Sequence, residues 1–250
     1  MKSKIFLLVF VILSSLAFAD NVDMIEKANK DYTTKKYEEA IGLYKQVFKS
    51  NNESWQLYFN LGNACYKNND IPSAILNYEK ALKLNPGNED ISYNLKVANT
   101  RITDKIETIP ILFYKRWWEK FYNLFSADGW GKLTITLFFL FFVLLTIYLL
   151  SKNIIIRKLG FWAGVGILCI SIFTFILGFE QYKTLKYETH AIVFSPTLTV
   201  KGGPDEGNSD LFVIHEGIKV RIIDKVNNWY RIKIADGSDG WVQTDKVEVI

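Results

Sequence analysis

The stretch WQLYFNLGNACYKNNDIPSAILNYEKALKLNP, residues 55–86, contains two amphipathic segments separated by a short polar run and closed by a proline. Gly62, Ala64 and Ala74 are small residues that let two antiparallel helices approach closely, while Tyr78 fills the space between them. The closing proline cannot continue a helix, and prolines are common just after a helix ends. The stretch therefore predicts a helical hairpin.

The same pattern occurs once more, 34 residues earlier. Residues 37–41 (YEEAI) align with residues 71–75 (IPSAI), and Tyr44 then aligns with Tyr78. Helical hairpins with this period and these positions resemble tetratricopeptide (TPR) repeats, and the second copy matches more closely than the first. A third half-copy at residues 92–101 lacks a second helix, so it predicts a capping helix over the last full repeat.

In TPR proteins, partner peptides bind in the concave groove lined by the first helix of each repeat. Asn29 and Asn60 match the asparagine positions of the family's best-known peptide clamp, but Ile25, Asp90 and Asn94 stand at its lysine positions. The resemblance implies a groove that bonds a peptide backbone without gripping a carboxylate. An alternative interpretation stays equally open: the two asparagines only cap or solvate the groove. Groove candidates by position are Asn29, Tyr32, Gln56, Phe59, Asn60, Asn63, Tyr66 and Asn94.

Two apolar blocks follow the repeats. Residues 133–150 and residues 159–179 contain no charged side chain, and a helix needs roughly 20 residues to span a membrane. The linker at residues 151–158 carries three basic side chains and no acidic one, so the sequence predicts a two-helix transmembrane hairpin with a basic turn. Three glycines in the second block would permit close approach of another helix, from this chain or a partner: Gly160, Gly164 and Gly166.

The aromatic stretch ILFYKRWWEKFYNLF, residues 111–125, lies directly before the first apolar block. Placed on a helix, its polar side chains form one stripe and its aromatic side chains cover the rest, which is typical of a helix lying in the membrane interface. A buried core helix is the alternative. We predict an interfacial helix over residues 111–126, followed by a turn with an interfacial tryptophan at residues 128–131.

The start of the chain indicates export. Residues 1–19 have a basic beginning, a short apolar core and a closing Ala-Phe-Ala, the pattern of a secretory signal peptide; an uncleaved anchor is the alternative. Two spans return the chain to one side, so we predict that both flanking modules face the periplasmic side of the inner membrane. The positive-inside rule does not support this orientation cleanly, because basic residues also flank the spans on the exported side: Lys115, Arg116, Lys120, Lys132, Lys183 and Lys186.

Beyond residue 188 the apolar period changes to two, with turn signals between short runs, which predicts a barrel of about five strands over residues 188–250. The run WYRIKIADGSDGWV, residues 229–242, together with turns at residues 203–204 and 216–217, resembles the bacterial SH3 family. Its aromatic residues Trp229 and Trp241 have two interpretations. They complete a small core, which we favour, or they line a peptide or glycan groove together with Tyr230.

Charge and cysteine usage narrow the function further. Residues 20–107 carry 12 basic and 13 acidic side chains, and residues 188–250 carry 7 and 10, so the net charge of +4 comes from the N-terminus and the membrane flanks. This distribution argues against nucleic-acid binding and fits contact with membrane lipid. The two cysteines and two histidines have no metal-ligand or Cys-His spacing, and no phosphate-binding glycine loop is present. We predict no enzyme activity, no catalytic residue, no cofactor and no metal.

The order of parts suggests a family. Signal peptide (residues 1–19), TPR unit (20–107), interfacial helix, two spans and SH3-like module follow each other as in the BatE-type proteins of the bacterial Bat (aerotolerance) group. The segment from Asn94 to Pro110 and the pair Trp117 and Trp118 also resemble that group. The resemblance implies partnership with Bat membrane proteins that carry von Willebrand A-type domains and with a MoxR-type ATPase, in envelope stress or oxygen tolerance.

We therefore expect a multidomain membrane protein with an all-α TPR domain, a transmembrane hairpin and a small all-β SH3-like barrel. Its function would be that of a non-enzymatic scaffold that binds partner proteins. The alternative is a cell-wall sensor or anchor whose SH3-like module binds peptidoglycan.

Overall fold

The computed structural model describes residues 22–50, 53–106, 112–187 and 189–250. The predicted signal peptide at residues 1–19 lies outside them. The described residues form two compact units: one combines the helical repeats with the C-terminal sheet, and the other contains the aromatic segment and the apolar helices. Segments far apart in the sequence are thus joined in the first unit.

Five helices make up the repeat region: α1 (residues 22–33), α2 (Tyr37–Lys49), α3 (Trp55–Lys67), α4 (Ile71–Leu84) and α5 (Glu89–Asn99). Ser54 caps α3 by accepting a bond from the backbone N–H of Leu57, and Asn88 caps α5 in the same way. A Cβ atom at Gly62 would lie 2.7 Å from the Tyr78 ring, so the predicted close approach of α3 and α4 needs a glycine there.

The first repeat, the weaker match in the sequence, has the same turn as the second. Lys35 and Asn69, which are 34 positions apart, both adopt left-handed backbone conformations, with φ of 65° and 64°. The backbone N–H of Lys35 donates to the carbonyl of Tyr32, and that of Asn69 donates to the carbonyl of Tyr66. Two helical hairpins with one turn geometry therefore stack in register, and α5 follows as the predicted additional helix.

The C-terminal region is an antiparallel sheet of seven strands, so the prediction of about five was wrong. The two additional strands are short and occupy one edge, where β1 pairs with the three-residue β7. Inward-facing residues such as Val200, Ile232 and Val242 are fully buried and form the core. The strands are β1 (Thr189–Val193), β2 (Thr197–Lys201), β3 (Asp210–His215), β4 (Lys219–Val226), β5 (Trp229–Lys233), β6 (Asp239–Gln243) and β7 (Val247–Val249), in the order β3-β2-β6-β5-β4-β1-β7.

Within the first unit the sheet packs against the helices. Ile192 of β1 is fully buried in the helical core cluster, and Phe194 and Ile250 pack against the same cluster. From the other direction, Ile102 packs against both the helical and the sheet core. No pattern in the sequence indicates this contact. It leaves α4 buried on most of its circumference.

Polar contacts fix the same junction. Lys219 of β4 donates to Glu79 of α4 at 2.7 Å. Asp104 accepts the backbone N–H of His215 at 2.7 Å, and its other oxygen lies 2.8 Å from Nδ1 of the same histidine. The helical and the sheet parts are therefore held side by side as one body.

The second unit consists of α6 (Phe113–Tyr122), α7 (Ala127–Leu150) and α8 (Ile154–Tyr187). By length and composition α7 and α8 could each cross a membrane. The predicted turn at residues 128–131 is wrong, because Ser126 caps α7 by accepting from the backbone N–H of Gly129. Trp130, expected at the interface, is buried and donates from Nε1 to the carbonyl of Tyr122 at 2.8 Å.

The two apolar helices pack along their length. A Cβ at Gly160 would lie 3.4 Å from the carbonyl oxygen of Leu144, so this glycine serves the contact between α7 and α8. A Cβ at Gly166 would meet no heavy atom within 4 Å among the described residues. The turn is also shorter than predicted, with only residues 151–153 between the two helices.

Candidate functional site

The centre of the candidate groove is Asn63 on α3. Its Oδ1 accepts two hydrogen bonds, from the hydroxyl of Tyr78 on α4 and from Nδ2 of Asn94 on α5, each at 2.8 Å. Tyr78 is almost completely buried, so Asn63 supplies the partner that its hydroxyl needs. One amide thus links the second repeat to the capping helix.

The same arrangement occurs one repeat earlier. The Tyr44 hydroxyl donates to Oδ1 of Asn29 at 2.6 Å, and Nδ2 of Asn60 lies 3.4 Å from the same oxygen. Each residue of the second set is 34 positions after its counterpart in the first. The four amides form what we call the asparagine ladder: Asn29, Asn60, Asn63 and Asn94.

A cavity of about 200 Å³ lies at the second half of the ladder. Four of the eight predicted groove residues line it: Tyr32, Asn63, Tyr66 and Asn94. Three residues outside the predicted set complete the lining: Lys67, Tyr78 and Val97. The 34-residue spacing of Tyr44 and Tyr78 was a signal for the tyrosine, whereas Lys67 and Val97 had none.

The other four candidates do not line this cavity. Asn29 and Asn60 form the earlier half of the ladder. Phe59 packs against the helical core, with its ring centroid 6.0 Å from that of Tyr78, and Gln56 is exposed. Phe59 therefore has a packing role.

The cavity offers neutral hydrogen-bonding groups. Among the described residues, Nδ2 of Asn63 and Oδ1 of Asn94 have no partner, which leaves one NH₂ group as donor and one carbonyl oxygen as acceptor at the lining. Burial raises the pKa of Tyr44 to about 12, and burial also raises the pKa of Tyr78 well above its ordinary value, so both hydroxyls remain neutral donors. Lys67 contributes the one cationic side chain of the lining.

Tyr66, one of the lining residues, is contacted by Arg101, which does not line the cavity. The Arg101 guanidinium lies 5.8 Å from the centroid of the Tyr66 ring and donates to Oδ1 of Asn69 at 2.7 Å. A cation over a tyrosine face is attracted by the ring quadrupole. This contact favours the observed orientation of Tyr66.

The SH3-like sheet presents a second aromatic surface. Trp229 and Trp241 are partly exposed and lie outside both hydrophobic core clusters, so the interpretation that they complete the core is wrong. Trp241 pairs with Arg231, and both face outward with Trp229. The grouping with Tyr230 is also wrong, since side chains alternate along a strand and Tyr230 packs on the core side opposite Val242.

A cavity of about 560 Å³ lies beside Trp229. Its lining contains three carboxylates and no cationic side chain, and Gln243 donates to Glu206 at 2.7 Å across it. Trp241 does not line it. The lining residues are Asp205, Glu206, Asn228, Trp229, Gln243, Thr244 and Asp245.

Groups with catalytic or metal-binding chemistry are sparse in the part of the chain that the structure describes. No group of three or more His, Cys, Asp or Glu side chains there could hold a metal ion. Burial raises the pKa of the Cys65 thiol to about 12, which keeps it protonated and poorly nucleophilic at neutral pH.

Comparison with known proteins identifies two modules. The tetratricopeptide repeat family matches residues 55–88, and the bacterial SH3 domain family matches residues 196–248. The predicted TPR and bacterial SH3 modules are thereby confirmed, and both are binding modules. No curated protein matches the chain, and neither family match names the Bat group.

Proposed function

We propose that this chain is a non-enzymatic, membrane-anchored scaffold that binds partner proteins through its TPR groove and its SH3-like module. The observation that carries the proposal is the asparagine ladder. It keeps a donor and an acceptor available at a cavity, while the sheet covers the α4 side of the same helical region. The surface of the repeat unit that remains available to partners is therefore the one lined by the first helix of each repeat.

The chemistry of the cavity favours an extended peptide segment. A peptide backbone presents alternating N–H and C=O groups, which match the free amide atoms of Asn63 and Asn94. Tyr32 and Tyr66 supply aromatic surface at the lining, and Lys67 supplies one positive charge for an acidic side chain. The clamp-type grip on a terminal carboxylate is not part of the proposal, because Ile25 and Asp90 stand at two of its lysine positions.

We place the scaffold in the inner membrane, with α7 and α8 as spans and both modules on the extracytoplasmic side. Two apolar helices and the signal-peptide pattern at residues 1–19 support this arrangement. The resemblance to the BatE-type proteins supports a Bat/MoxR-type complex in envelope stress or oxygen tolerance. Its partners would be membrane proteins with von Willebrand A-type domains.

The groove is tested by co-purification of tagged full-length protein with von Willebrand A-type membrane subunits from the host membrane. We expect the double variant Tyr66→Ala/Asn94→Ala to lose these subunits at least tenfold. The matched control Tyr93→Ala/Asn99→Ala removes the same residue types from α5 outside the cavity and should retain them. Equal recovery from both variants would count against the groove, provided that circular dichroism shows both to be folded.

The alternative is a cell-wall sensor or anchor that binds peptidoglycan through the SH3-like module. The acidic cavity beside Trp229 favours it, because carboxylates and an indole face suit the amino groups of a peptide stem. Binding of detergent-solubilised full-length protein to purified sacculi should fall in Trp229→Ala and persist in Trp241→Ala, since only Trp229 lines the cavity. Absence of any retention on sacculi would remove this function.

A further inference from the structure

An open cavity of about 290 Å³ lies beside the turn between α7 and α8. It lies where one apolar helix ends and the next begins. Four of its lining residues are apolar or aromatic and two are basic. The lining consists of Tyr148, Ile154, Arg157, Lys158, Phe161 and Trp162.

Aromatic rings hold the arginine at the wall of this cavity. The Arg157 guanidinium lies 5.6 Å from the centroid of the Tyr148 ring. The Tyr148 ring is in turn 5.6 Å from the Phe161 ring, and the Phe161 ring is 5.5 Å from that of Trp162. A guanidinium placed on an aromatic face is oriented before a ligand arrives, so less side-chain entropy is lost on binding.

No carboxylate in the part of the chain that the structure describes forms an ion pair with the basic side chains of the turn. No Asp or Glu occurs in the sequence from residue 129 to residue 179. Lys152, Arg157 and Lys158 are exposed, and none has an ion pair with any described residue. The N-terminal end of α8, a helix of 34 residues, adds the positive pole of its dipole at the same place.

We propose that this cavity binds the phosphate-bearing headgroup of an anionic phospholipid. Arg157 and Lys158 would meet the phosphodiester, while Ile154 and the aromatic rings would contact the glycerol and the first acyl carbons. Basic pockets between apolar helices at the membrane surface suit such headgroups, because their cations attract the negative charge of an anionic lipid. The inference rests on the proposed membrane anchoring by α7 and α8.

Native mass spectrometry of the full-length protein in neutral detergent tests the site by titration with phosphatidylglycerol or phosphatidylcholine. We expect tighter binding of phosphatidylglycerol. In Arg157→Gln/Lys158→Gln the affinity ratio of the two lipids should fall by roughly thirtyfold, as expected for two lost cations at about 1 kcal/mol each. The matched control Lys183→Gln/Lys186→Gln removes two exposed cations from the other end of α8 and should keep the ratio.

Three results would overturn the proposal. The first is equal binding of both lipids by the wild-type protein. The second is an equal loss of the preference in both double variants. The third is complete displacement of phosphatidylglycerol by inorganic phosphate at the same concentration as the lipid. The last result would mean a phosphate site without lipid recognition. Alkaline extraction of membranes separates this inference from the anchoring: a chain extracted with soluble proteins contradicts the anchoring, whereas a retained chain without lipid preference contradicts only the lipid site.

Discussion

At the residue scale, the groove depends on a hydrogen-bond acceptor that serves two helices. Asn63 satisfies the buried hydroxyl of Tyr78 and also holds Asn94 of α5. A buried hydroxyl without a partner costs about 1–3 kcal/mol, whereas removal of both partners is nearly neutral. In the proposed groove, one side chain at this position would therefore serve both stability and ligand binding.

This sharing predicts a non-additive mutant cycle. Asn63→Ala should lower the free energy of unfolding by about 1–3 kcal/mol, because it strands the Tyr78 hydroxyl. Addition of Tyr78→Phe should recover part of the loss, as the stranded group is then absent. Denaturant unfolding followed by circular dichroism measures the cycle, and simple additivity of the two changes would contradict the assigned bond.

Burial of the Cys65 thiol predicts a loss of stability at alkaline pH. Its folded-state pKa is raised from 9.0 to about 12, so the folded chain keeps a proton that the unfolded chain releases above pH 9. Because the unfolded state then binds fewer protons, the free energy of unfolding falls as pH rises from 9 towards 12, by up to about 1.4 kcal/mol per pH unit. The contribution is fully present below pH 9.

The variant Cys65→Ala isolates this effect. Between pH 9 and pH 10 the variant should lose less stability than the wild-type protein, since the buried Tyr44 and the half-buried Tyr58 have an ordinary pKa of 10.0, one unit above that of the thiol. Thermal unfolding at half-unit pH steps gives the comparison. If the melting temperature fell equally with pH in the two proteins, the pKa of the Cys65 thiol would not be raised by folding.

At the scale of elements, the β3–β4 turn packs closely against residues of the helical region. Gly217 has a φ of +87°, and a Cβ there would lie 2.6 Å from Cγ2 of Ile102 and 3.4 Å from Cδ1 of Ile75. The turn thus requires a glycine for its backbone and for its contact with the helices at once.

Gly217→Ala should therefore loosen the sheet from α4 as well as strain the turn, at a cost of about 1–3 kcal/mol for the backbone alone. Gly237→Ala is the matched control, since Gly237 has a φ of +96° in the β5–β6 turn. Hydrogen exchange of the α4 amides should increase in Gly217→Ala and stay unchanged in Gly237→Ala. Unchanged exchange in both would contradict the fitted contact.

Periodicity in the sequence predicted the elements better than it predicted their faces. The 34-residue period located both helical hairpins, because the same small and aromatic residues pack at each repeat. It did not reveal that the sheet covers α4, since the apolar residues of that helix are also typical of an ordinary repeat. In the structure Tyr230 faces inward and Trp229 outward on β5. The sequence favoured a core position for Trp229, because a large indole in a small domain is typical of a core residue.

The groove was predictable in part for the same reason. Asn29 and Asn60 were predicted by their match to the peptide clamp, yet the two ladder residues that line the cavity are Asn63 and Asn94. Lys67 and Val97 reach it through the packing of α5 on α3, and a single sequence carries no signal for that packing.

At the scale of the whole molecule, the packed contact between the TPR and SH3-like modules requires both to lie on one side of any membrane. An even number of spans between them meets that requirement. This holds for either orientation of the chain, whereas the choice of the periplasmic side rests on the signal-peptide pattern.

Cysteine labelling of intact cells tests the arrangement. In a Cys169→Ala background, a membrane-impermeant maleimide should label Ser92→Cys and Ser209→Cys, which are exposed positions in the two modules. Lys152→Cys in the α7–α8 turn should react only after permeabilisation. If Ser92→Cys and Ser209→Cys were labelled from opposite sides of the membrane, the two modules could not form one unit. If both reacted only after permeabilisation and Lys152→Cys reacted in intact cells, the unit would stand but the predicted export would be wrong.

The junction of sheet and helices also dictates an order of events during synthesis. Glu79 precedes its partner Lys219 by 140 residues, and Asp104 precedes His215 by 111. A ribosome thus completes α4 and then translates the whole of α6–α8 before the covering strands emerge. Until then the nascent chain exposes the α4 surface around Ile75, the kind of transient apolar exposure that chaperones and proteases recognise. The α4 surface can therefore be buried by the sheet only after α8 has been translated.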